Sequence, residues 1–204
     1  MKDLPVFPCQ DGLASLILSE IPYRQEAYIL LRAVYGSLAA LVRQCANFCA
    51  DAGAKRIYVS GEGELSAYPV YARLIDRSIE RALLPRVSAR TERTDSDEWA
   101  ALYNERFRAV PCAKTYRKTP ENACFIFDGD ARIGLGLCIK DELAAVASLV
   151  RGRGAACVCA LAAQTDAGRI RLLCAEENTA AMRLYDRLGF SNDGVRRVWH
   201  HAAP

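Results

Sequence analysis

Two segments in the C-terminal third of this 204-residue chain have residue types and spacings that suit anion binding and proton transfer. The first is the run Arg151–Ala156, with the sequence RGRGAA. Its glycines allow a turn in which several backbone N–H groups face one point, and a following helix adds about half a positive charge there. A diphosphate fits such a position, where Arg151 and Arg153 would donate charge-assisted hydrogen bonds. The same glycines also suit a turn without a ligand, so both interpretations stay open.

The second segment runs from Asn178 to Phe190, with the sequence NTAAMRLYDRLGF. Asn178 and Tyr185 are separated by about two helical turns, which places both side chains on one face of a helix. A phenol in that position could give a proton to a departing group. An apolar stripe formed by Ala181, Leu184 and Leu188 would instead make Tyr185 an ordinary core residue. The segment alone does not decide between these two roles.

The hydrophobic pattern predicts the elements that would position these segments. We expect strands at Gly12–Glu20, Glu26–Val34, Arg56–Ser60, Arg90–Thr94, Cys124–Phe127, Ile133–Ile139, Glu142–Val150 and Arg169–Ala175, with one or two more in Phe190–His201. We expect helices from Ser37 as N-cap to Gly53, at Tyr68–Leu83, at Asp95–Arg108 with Asp95 as cap, from the glycine run to about Ala163, and at Asn178–Leu188, closed by Gly189. The order of these elements predicts an α/β fold with a mixed sheet.

The chain is expected to contain two parts, residues 1–85 and residues 86–204. Residues 38–75 and 155–188 both follow the order helix, glycine, strand, loop, helix. Their second helices contain Tyr-Ala-Arg-Leu and Tyr-Asp-Arg-Leu, respectively. This correspondence indicates a diverged internal repeat whose first copy lacks the glycine run. Coincidence of a common element order is the alternative explanation.

Composition and motif spacing exclude several classes of function. A net charge of +3 from scattered basic residues is too small to indicate a nucleic-acid partner. No apolar run is long enough for a membrane span, and the N-terminus lacks a secretory signature, so we expect a cytoplasmic protein with no membrane partner. The glycine run has neither the Gly-Lys-Ser/Thr ending of a P-loop nor the spacing of a dinucleotide fingerprint.

The nine cysteines have no spacing typical of a metal site. They form no Cys-x-x-Cys pair, and the only histidines are His200 and His201, so we expect neither a metal nor a disulfide framework. Most of them lie in apolar runs, where a cysteine behaves as a small buried hydrophobe with a reduced thiol. A catalytic thiol is not indicated, because no base is found near any of them in a polar setting.

Together, the two segments resemble the GNAT superfamily of N-acetyltransferases over roughly residues 87–204. The glycine run resembles the acetyl-CoA loop of that superfamily, with Arg151, Gly154 and Ala156 at the fixed positions. The second segment resembles the helix and strand that close its cofactor site. Its matching residues are Asn178, Ala181, Tyr185, Gly189 and Phe190. The resemblance implies a mixed, mostly antiparallel sheet flanked by helices, with a smaller α/β half-domain before it that is at most a degenerate GNAT half.

The resemblance also implies a cofactor and a reaction. Acetyl-CoA would lie between the strand that ends near Val146 and the strand Arg169–Ala175, and no metal would be needed. Its pantetheine arm would be aligned by the main chain at Val146, Ala147 and Ser148, and Asn178 would bond to the same arm. Its diphosphate would be held by Arg151, Gly152, Arg153, Gly154, Ala155 and Ala156. An amine would take up the acetyl group directly, and Tyr185 would protonate the departing thiolate.

Neither the general base nor the acceptor is fixed by the resemblance. Glu142 and Glu105 are our candidates for the base, with Glu177 as a third, although each could be a solvated surface carboxylate. Trp99, Tyr103, Phe107 and Tyr116 are expected to form the acceptor pocket, or else to be ordinary core. The acceptor could be a small-molecule amine or a peptide or protein amine. A non-catalytic acyl-CoA sensor and an interaction module that forms a homodimer remain as alternatives.

Overall fold

The computed structural model describes residues 1–61 and 63–202, which form two compact units. One unit comprises Met1–Arg73 and the C-terminal stretch from Arg197, and the other comprises Leu74–Arg196. The boundary that we expected after residue 85 therefore differs from the observed division, because a strand that starts at Val70 continues into the second unit. No helix in the described ranges is long and apolar enough to cross a bilayer.

The first unit is a sheet covered by one long helix. Its elements are β1 (Leu4–Cys9), β2 (Gly12–Ile17), α1 (Ile21–Arg24), β3 (Glu26–Val34), α2 (Leu38–Asp51), β4 (Arg56–Gly61), the start of β5 (Val70–Glu80) and the end of β11 (Ser191–His201). Strands β1, β2 and β3 pair antiparallel in sequence, β3 pairs parallel with β4, and β11 pairs antiparallel with β4. Helix α2 starts at Ser37, whose side chain accepts from the Ala40 N–H, and it buries Leu41, Val42 and Cys45 against the sheet.

The second unit places a sheet between helices. Its further elements are a 3-10 turn (Arg81–Leu83), β6 (Arg90–Arg93), α3 (Asp97–Arg106), β7 (Ala123–Asp128), β8 (Ala131–Ile139), β9 (Glu142–Ser148), α4 (Gly154–Ala162), β10 (Arg169–Ala175) and α5 (Thr179–Leu188). The strand order is β5-β10-β9-β8-β7-β6, antiparallel except for β9 and β10. The mixed, mostly antiparallel α/β architecture flanked by helices is thus confirmed.

The largest error of the sequence analysis concerns residues 68–83, which were expected to form a helix. Residues Val70–Glu80 form strand β5 instead, and β5 pairs with β10 from Leu74 to Glu80. Ile75 and Ile79 fit a helical stripe, but they also point inward with the two-residue period of a strand. The inward position between them is Arg77, and this buried arginine hid the alternation.

Three smaller differences have local causes. Strand β1 was missed, because Pro5 and Pro8 interrupt the pattern in an edge strand. Helix α3 starts after Ser96 rather than Asp95, since the Ser96 hydroxyl accepts from the Glu98 N–H. The repeat as predicted is wrong in its last element, because the expected first-half helix is β5. Both units nevertheless contain three successive antiparallel strands, a helix and a parallel strand, namely β1-β2-β3-α2-β4 and β7-β8-β9-α4-β10.

Seven of the nine cysteine side chains are buried, and all nine are free thiols. Burial raises the pKa of Cys45 and of Cys49 to about 12, from an ordinary value near 9. The folded core therefore retains these thiol protons at a pH at which an unfolded chain would release them.

We expect this difference to make the fold sensitive to alkali. Above about pH 9 the unfolded chain loses thiol protons that the folded state keeps, so the free energy of unfolding should fall with rising pH. Replacement of one such thiol, Cys49→Ala, should make the fall between pH 9 and 10.5 shallower by about 1 kcal/mol per pH unit. Urea unfolding at a series of pH values measures both slopes, and equal slopes in the variant and the wild type would rule out this origin.

The position of β5 gives a second expectation, about fragments. Residues 86–204 lack the strand that pairs along all of β10, so β10 would become an edge with unpaired peptide groups. We expect this fragment to be insoluble or to unfold without a cooperative transition, whereas residues 70–204 should unfold cooperatively. Circular dichroism melts of both fragments test this. A cooperative melt of the shorter fragment at the temperature of the longer one is the contrary result.

Candidate active site

A gap in the sheet of the second unit forms the centre of the candidate site. The parallel strands β9 and β10 are paired at a single position, Glu142 opposite Arg171. By contrast, the parallel strands β3 and β4 of the first unit are paired at every position from Glu26 and Arg56 to Leu31 and Gly61. Within the described ranges, β9 beyond Glu142 therefore has a strand neighbour only on the β8 side. Its other main-chain groups face the opening between the two strands.

A cavity of about 260 Å³ occupies this opening. It is lined by parts of both diverging strands, by α3 and the loop after it, and by α5. The lining residues are Leu74, Tyr103, Phe107, Val110, Pro111, Cys112, Ala113, Lys114, Tyr116, Glu142, Leu143, Ala144, Ala145, Val146, Leu173, Cys174, Ala175, Asn178, Ala181 and Tyr185. The structure thus brings Val146, Asn178 and Tyr185 together, as the sequence analysis expected of a site between these strands.

Tyr185 is both a core residue and a wall of the cavity. Its side chain is buried, and its ring centroid lies 5.4 Å from that of Phe190. Burial and the neighbouring Cys174 thiol raise the pKa of Tyr185 far above its usual value, while the positive charge of Arg77 acts in the opposite direction. The phenol is accordingly protonated throughout the physiological pH range, which is the state that a proton donor requires.

Asn178 is the N-cap of α5. Its Oδ1 accepts a hydrogen bond of 3.3 Å from the Ala181 N–H, which fixes the side chain at the cavity wall. With the oxygen used in the cap, the amide N–H₂ is the end of the side chain suited to an acceptor in the cavity. At the other end, α5 closes with Gly189 at φ +86, which is the left-handed conformation that glycine adopts without strain.

The glycine run forms the turn between β9 and α4. Gly152 has φ +82, and helix α4 begins at Gly154. The first N–H groups of a helix have no partner within the helix, and here they belong to Gly154, Ala155 and Ala156. A Cβ atom at Gly154 would lie 3.0 Å from Leu184 Cδ2, so this glycine also allows α4 to approach α5.

A second cavity, of about 760 Å³, opens at this turn. It is lined by Ser148, Leu149, Val150, Arg151, Gly152, Gly154, Ala155, Ala180, Leu184 and Leu188, and by the arginines Arg106 and Arg187. These two arginines were not among the expected residues, because nothing in the sequence shows that the ends of α3 and α5 meet at the glycine run. Three arginines around unpaired helix amides make this a position suited to an anion.

Three residues of the expected cofactor site, Arg153, Ala147 and Ala156, do not line either cavity. The guanidinium of Arg153 forms an ion pair with Asp128, so its side chain is not directed at the turn. Its own N–H donates to the Val150 carbonyl within the turn. The Ser148 hydroxyl donates to the Val150 and Ile133 carbonyls, so that it stabilises the shape of the turn.

The structure separates the carboxylates that we considered as a base. Glu142 is half-buried and lines the first cavity, whereas Glu105 is exposed on α3 and Glu177 is exposed before α5, and neither of these lines it. No group of three or more potential metal-ligating side chains occurs in the described part of the chain.

Of the four aromatic residues expected to form the acceptor pocket, one is a core residue and three line the cavity. Trp99 is fully buried, and its indole N–H donates to the Cys124 carbonyl at 3.0 Å, so the structure makes it a core residue. Tyr103, Phe107 and Tyr116 all line the cavity. The rings of Tyr103 and Phe107 are stacked with centroids 4.3 Å apart, and Tyr116 meets Tyr103 edge to face at 4.8 Å.

The loop Val110–Lys114, which leads to the expected pocket residue Tyr116, lines the same cavity. It is held next to α3 because Asn104 forms two hydrogen bonds with the backbone of Tyr116, one from its amide to the Tyr116 carbonyl and one from the Tyr116 N–H. Lys114 lies over the Tyr116 ring at 5.4 Å. The hydrogen bonds between Asn104 and Tyr116 close a loop with no regular hydrophobic period, so the sequence pattern did not indicate them.

The corresponding position in the first unit contains a carboxylate of the chain itself. At the start of α2, Asp11 Oδ1 accepts from the Ser37 N–H at 2.7 Å, and the Asp11 carbonyl accepts from the Tyr35 and Gly36 N–H groups. Together with the unbroken pairing of β3 and β4, this contact leaves that helix start without the open turn found at α4.

No protein-family model and no curated protein matches the chain. Solved structures do resemble it. A conserved protein of unknown function from Staphylococcus epidermidis superposes with a TM-score of 0.64 at 12% identity, covering 96% of this chain and 93% of that chain. A GCN5-related N-acetyltransferase from Kribbella flavida superposes with a TM-score of 0.57 at 15% identity, covering 98% of this chain and 89% of that chain. A GCN5-related N-acetyltransferase-like protein from Streptococcus suis has a TM-score of 0.52 at 15% identity, covering 94% of this chain and 84% of that chain. The chain therefore has the fold of these N-acetyltransferases.

The glycine turn provides a test of anion binding. Gly152→Ala introduces a side chain at positive φ, at a cost of about 1 kcal/mol, and alters the direction of the turn amides. We expect this variant to bind coenzyme A at least about tenfold more weakly. Gly53→Ala is the matched control, since Gly53 has φ +99 in the first unit. Isothermal titration should show unchanged affinity for the control, and equal losses in both variants would exclude a specific role of the turn.

Proposed function

We propose that the chain is an acetyl-CoA-dependent N-acetyltransferase that transfers an acetyl group to a primary amine. The observation that supports this most is the combination in the second unit of an open pair of parallel strands, an arginine-flanked glycine turn and a buried tyrosine that lines the cavity between the strands. The same fold occurs in GCN5-related N-acetyltransferases. An ordinary structural turn and a core tyrosine would not require the strands to separate.

The residues present fit the parts of acetyl-CoA. The amides of Gly152, Gly154 and Ala155 would hold the diphosphate, with Arg151 as a further donor from its exposed position. Peptide groups of β9 around Val146, which lack a β10 partner, would pair with the amides of the pantetheine arm. The Asn178 amide is suited to donate to a carbonyl of the arm. Acetyl-CoA supplies an activated acetyl group, which the amine takes up directly.

Tyr185 is the proposed general acid. The thiolate of coenzyme A is a poor leaving group unless it gains a proton, and the phenol at the cavity wall can donate one. Burial raises its pKa, so the phenol carries its proton when acetyl-CoA binds, and the thiolate that forms in the same water-poor cavity is the base that takes it. The N–H groups of β9 near Val146 would stabilise the negative charge that develops on the carbonyl oxygen, a contribution of up to a few kcal/mol.

Glu142 is the proposed base, acting directly or through a water molecule. It is the only acidic residue among those that line the first cavity in the described chain. An acceptor amine enters mostly as an ammonium ion and must lose a proton before it can attack. A half-buried carboxylate both attracts the ammonium and can accept that proton. Glu105, our other candidate, is exposed and does not line this cavity, so it is not part of the proposal.

The acceptor would bind between α3 and the loop that follows it. The rings of Tyr103, Phe107 and Tyr116 provide an apolar wall, and π-faces also attract ammonium groups. Lys114 is positively charged at the same wall, which disfavours acceptors with several positive charges. A cavity of this size favours a small amine or a single N-terminal residue over a folded protein surface.

Replacement of the phenol separates catalysis from cofactor binding. Tyr185→Phe keeps the ring that packs on Phe190 but removes the proton donor, so we expect kcat to fall by about 10²- to 10³-fold while the Kd for coenzyme A stays within about twofold. The assay measures thiol release from acetyl-CoA with a panel of primary amines and short peptides, and titration calorimetry gives the Kd.

Tyr116→Phe is the control, because it removes a second phenol from the same cavity. It should leave kcat within about threefold. A protein that binds coenzyme A but releases no thiol with any amine would instead be a sensor of acyl-CoA. A wild-type protein without affinity for coenzyme A would refute the proposal as a whole.

A further inference from the structure

Strand β5 contains an arginine whose burial the proposed reaction does not yet explain. The side chain of Arg77 is only 3% exposed, although arginine is seldom buried unless it is fully paired. Its neighbour across the sheet is Leu172 of β10, so that it lies within the core beside the diverging strands. Desolvation of a guanidinium costs free energy, so a buried arginine needs well-formed hydrogen bonds and an ion pair to offset that cost.

Among the described residues, the side-chain hydrogen bonds of Arg77 are made with α5 and the residues that follow it. Nη2 donates to Asp186 Oδ1 at 2.5 Å and to the Phe190 carbonyl at 2.8 Å, and Nε donates to the Ser191 carbonyl at 3.3 Å. Nη1 lies 3.7 Å from the sulfur of Met182. One guanidinium thus connects β5 to the last turn of α5 and to the chain beyond its end.

These partners surround Tyr185 in sequence and in space. Met182 precedes it by one turn, Asp186 follows it directly, and Phe190 carries the ring against which Tyr185 packs. The Phe190 N–H donates to the Tyr185 carbonyl at 3.0 Å, so the segment held by Arg77 is itself bonded to the Tyr185 backbone. Rotation or sliding of α5 would break several of these bonds at once.

The positive charge of Arg77 also acts on the Tyr185 phenol. The groups that act on Tyr185 are Cys174 from β10 and Arg77 from β5, and the carboxylate of Asp186 is paired with Arg77. The arginine lowers the pKa of Tyr185, opposing the effect of burial and of the thiol. It therefore makes the phenol a stronger proton donor than burial alone would leave it.

We propose that Arg77 is a positioning residue for Tyr185: by holding the end of α5 and the Phe190 carbonyl, it fixes the phenol at the wall of the cavity. The inference rests on the proposed function of Tyr185 as general acid. It also assigns a positioning role to β5, a strand that precedes the segment whose sequence motifs resemble those of acetyltransferases.

The test is a double-mutant cycle between Arg77→Met and Tyr185→Phe, measured as kcat and as KM for acetyl-CoA. In the wild-type background, Arg77→Met should lower kcat on the order of 10- to 100-fold and change KM less than about threefold. In the Tyr185→Phe background, the same change should lower kcat less than about threefold, because the group that it positions is gone. A purely structural role predicts equal factors in both backgrounds, which would overturn the inference.

Three further variants make the result independent of a general loss of stability. Asp186→Asn removes the charge of the exposed partner of Arg77, and Arg77→Lys keeps the positive charge but loses the forked guanidinium. Each variant should lower kcat by a smaller but measurable factor than Arg77→Met. If either variant has the same kcat as the wild type, the inference is contradicted. Arg196→Met is the matched control, because Arg196 forms an ion pair with Asp76, next to Arg77 on β5, and should leave kcat unchanged. Retained affinity for coenzyme A in every variant separates this test from the test of the proposed function.

Discussion

The candidate site depends on one feature of the sheet, namely the separation of β9 and β10 after a single paired position. Peptide groups that lose a strand partner must be satisfied by water or by a ligand, because burying them unpaired costs free energy. Both strands are held from their outer sides: β9 pairs with β8 up to Ser148, and β10 pairs with β5 along its whole length. The gap therefore lies between two supported strands. A ligand that carries its own amide groups, such as the pantetheine arm, is complementary to it.

The two units show what this separation adds to a common arrangement. In the first unit, the same order of strands and helix has β3 and β4 paired throughout, and Asp11 binds the amides at the start of α2. In the second unit, the strands diverge and the amides at the start of α4 face a cavity with arginines at its wall. Identical topology thus gives a closed sheet in one case and an open cleft in the other. The two units differ at this position in their strand pairing and in the carboxylate of Asp11, which accepts from the Ser37 N–H.

The sequence predicted best those elements in which local preferences agree with the tertiary structure. Strands β3 and β10 begin and end where expected, and α5 has both of its predicted caps, Asn178 and Gly189. Strand β5 was predicted as a helix because its inward positions include Arg77, whose burial depends on partners more than a hundred residues away. In a hydrophobic pattern an arginine is assigned to the outward face, so the inward position of Arg77 could not be predicted.

The candidate site was predictable to the same extent. The glycine run and Tyr185 were chosen from residue types and spacing; Tyr185 lines the first cavity, and most of the glycine run lines the second. The pairing of Arg153 with Asp128, the burial of Trp99 and the position of the loop Val110–Lys114 result from contacts between distant parts of the chain. No local pattern contains such information. The choice of Glu142 over Glu105 likewise required the cavity, because both are ordinary glutamates in the sequence.

The measurement that tests the central claim most directly is a crystal structure of the protein with coenzyme A. We expect the diphosphate within hydrogen-bonding distance of the Gly152 and Gly154 amides, the arm paired with β9 near Val146, and the sulfur next to the hydroxyl of Tyr185. Coenzyme A bound elsewhere on the protein, with the opening between β9 and β10 filled by water, would contradict the account.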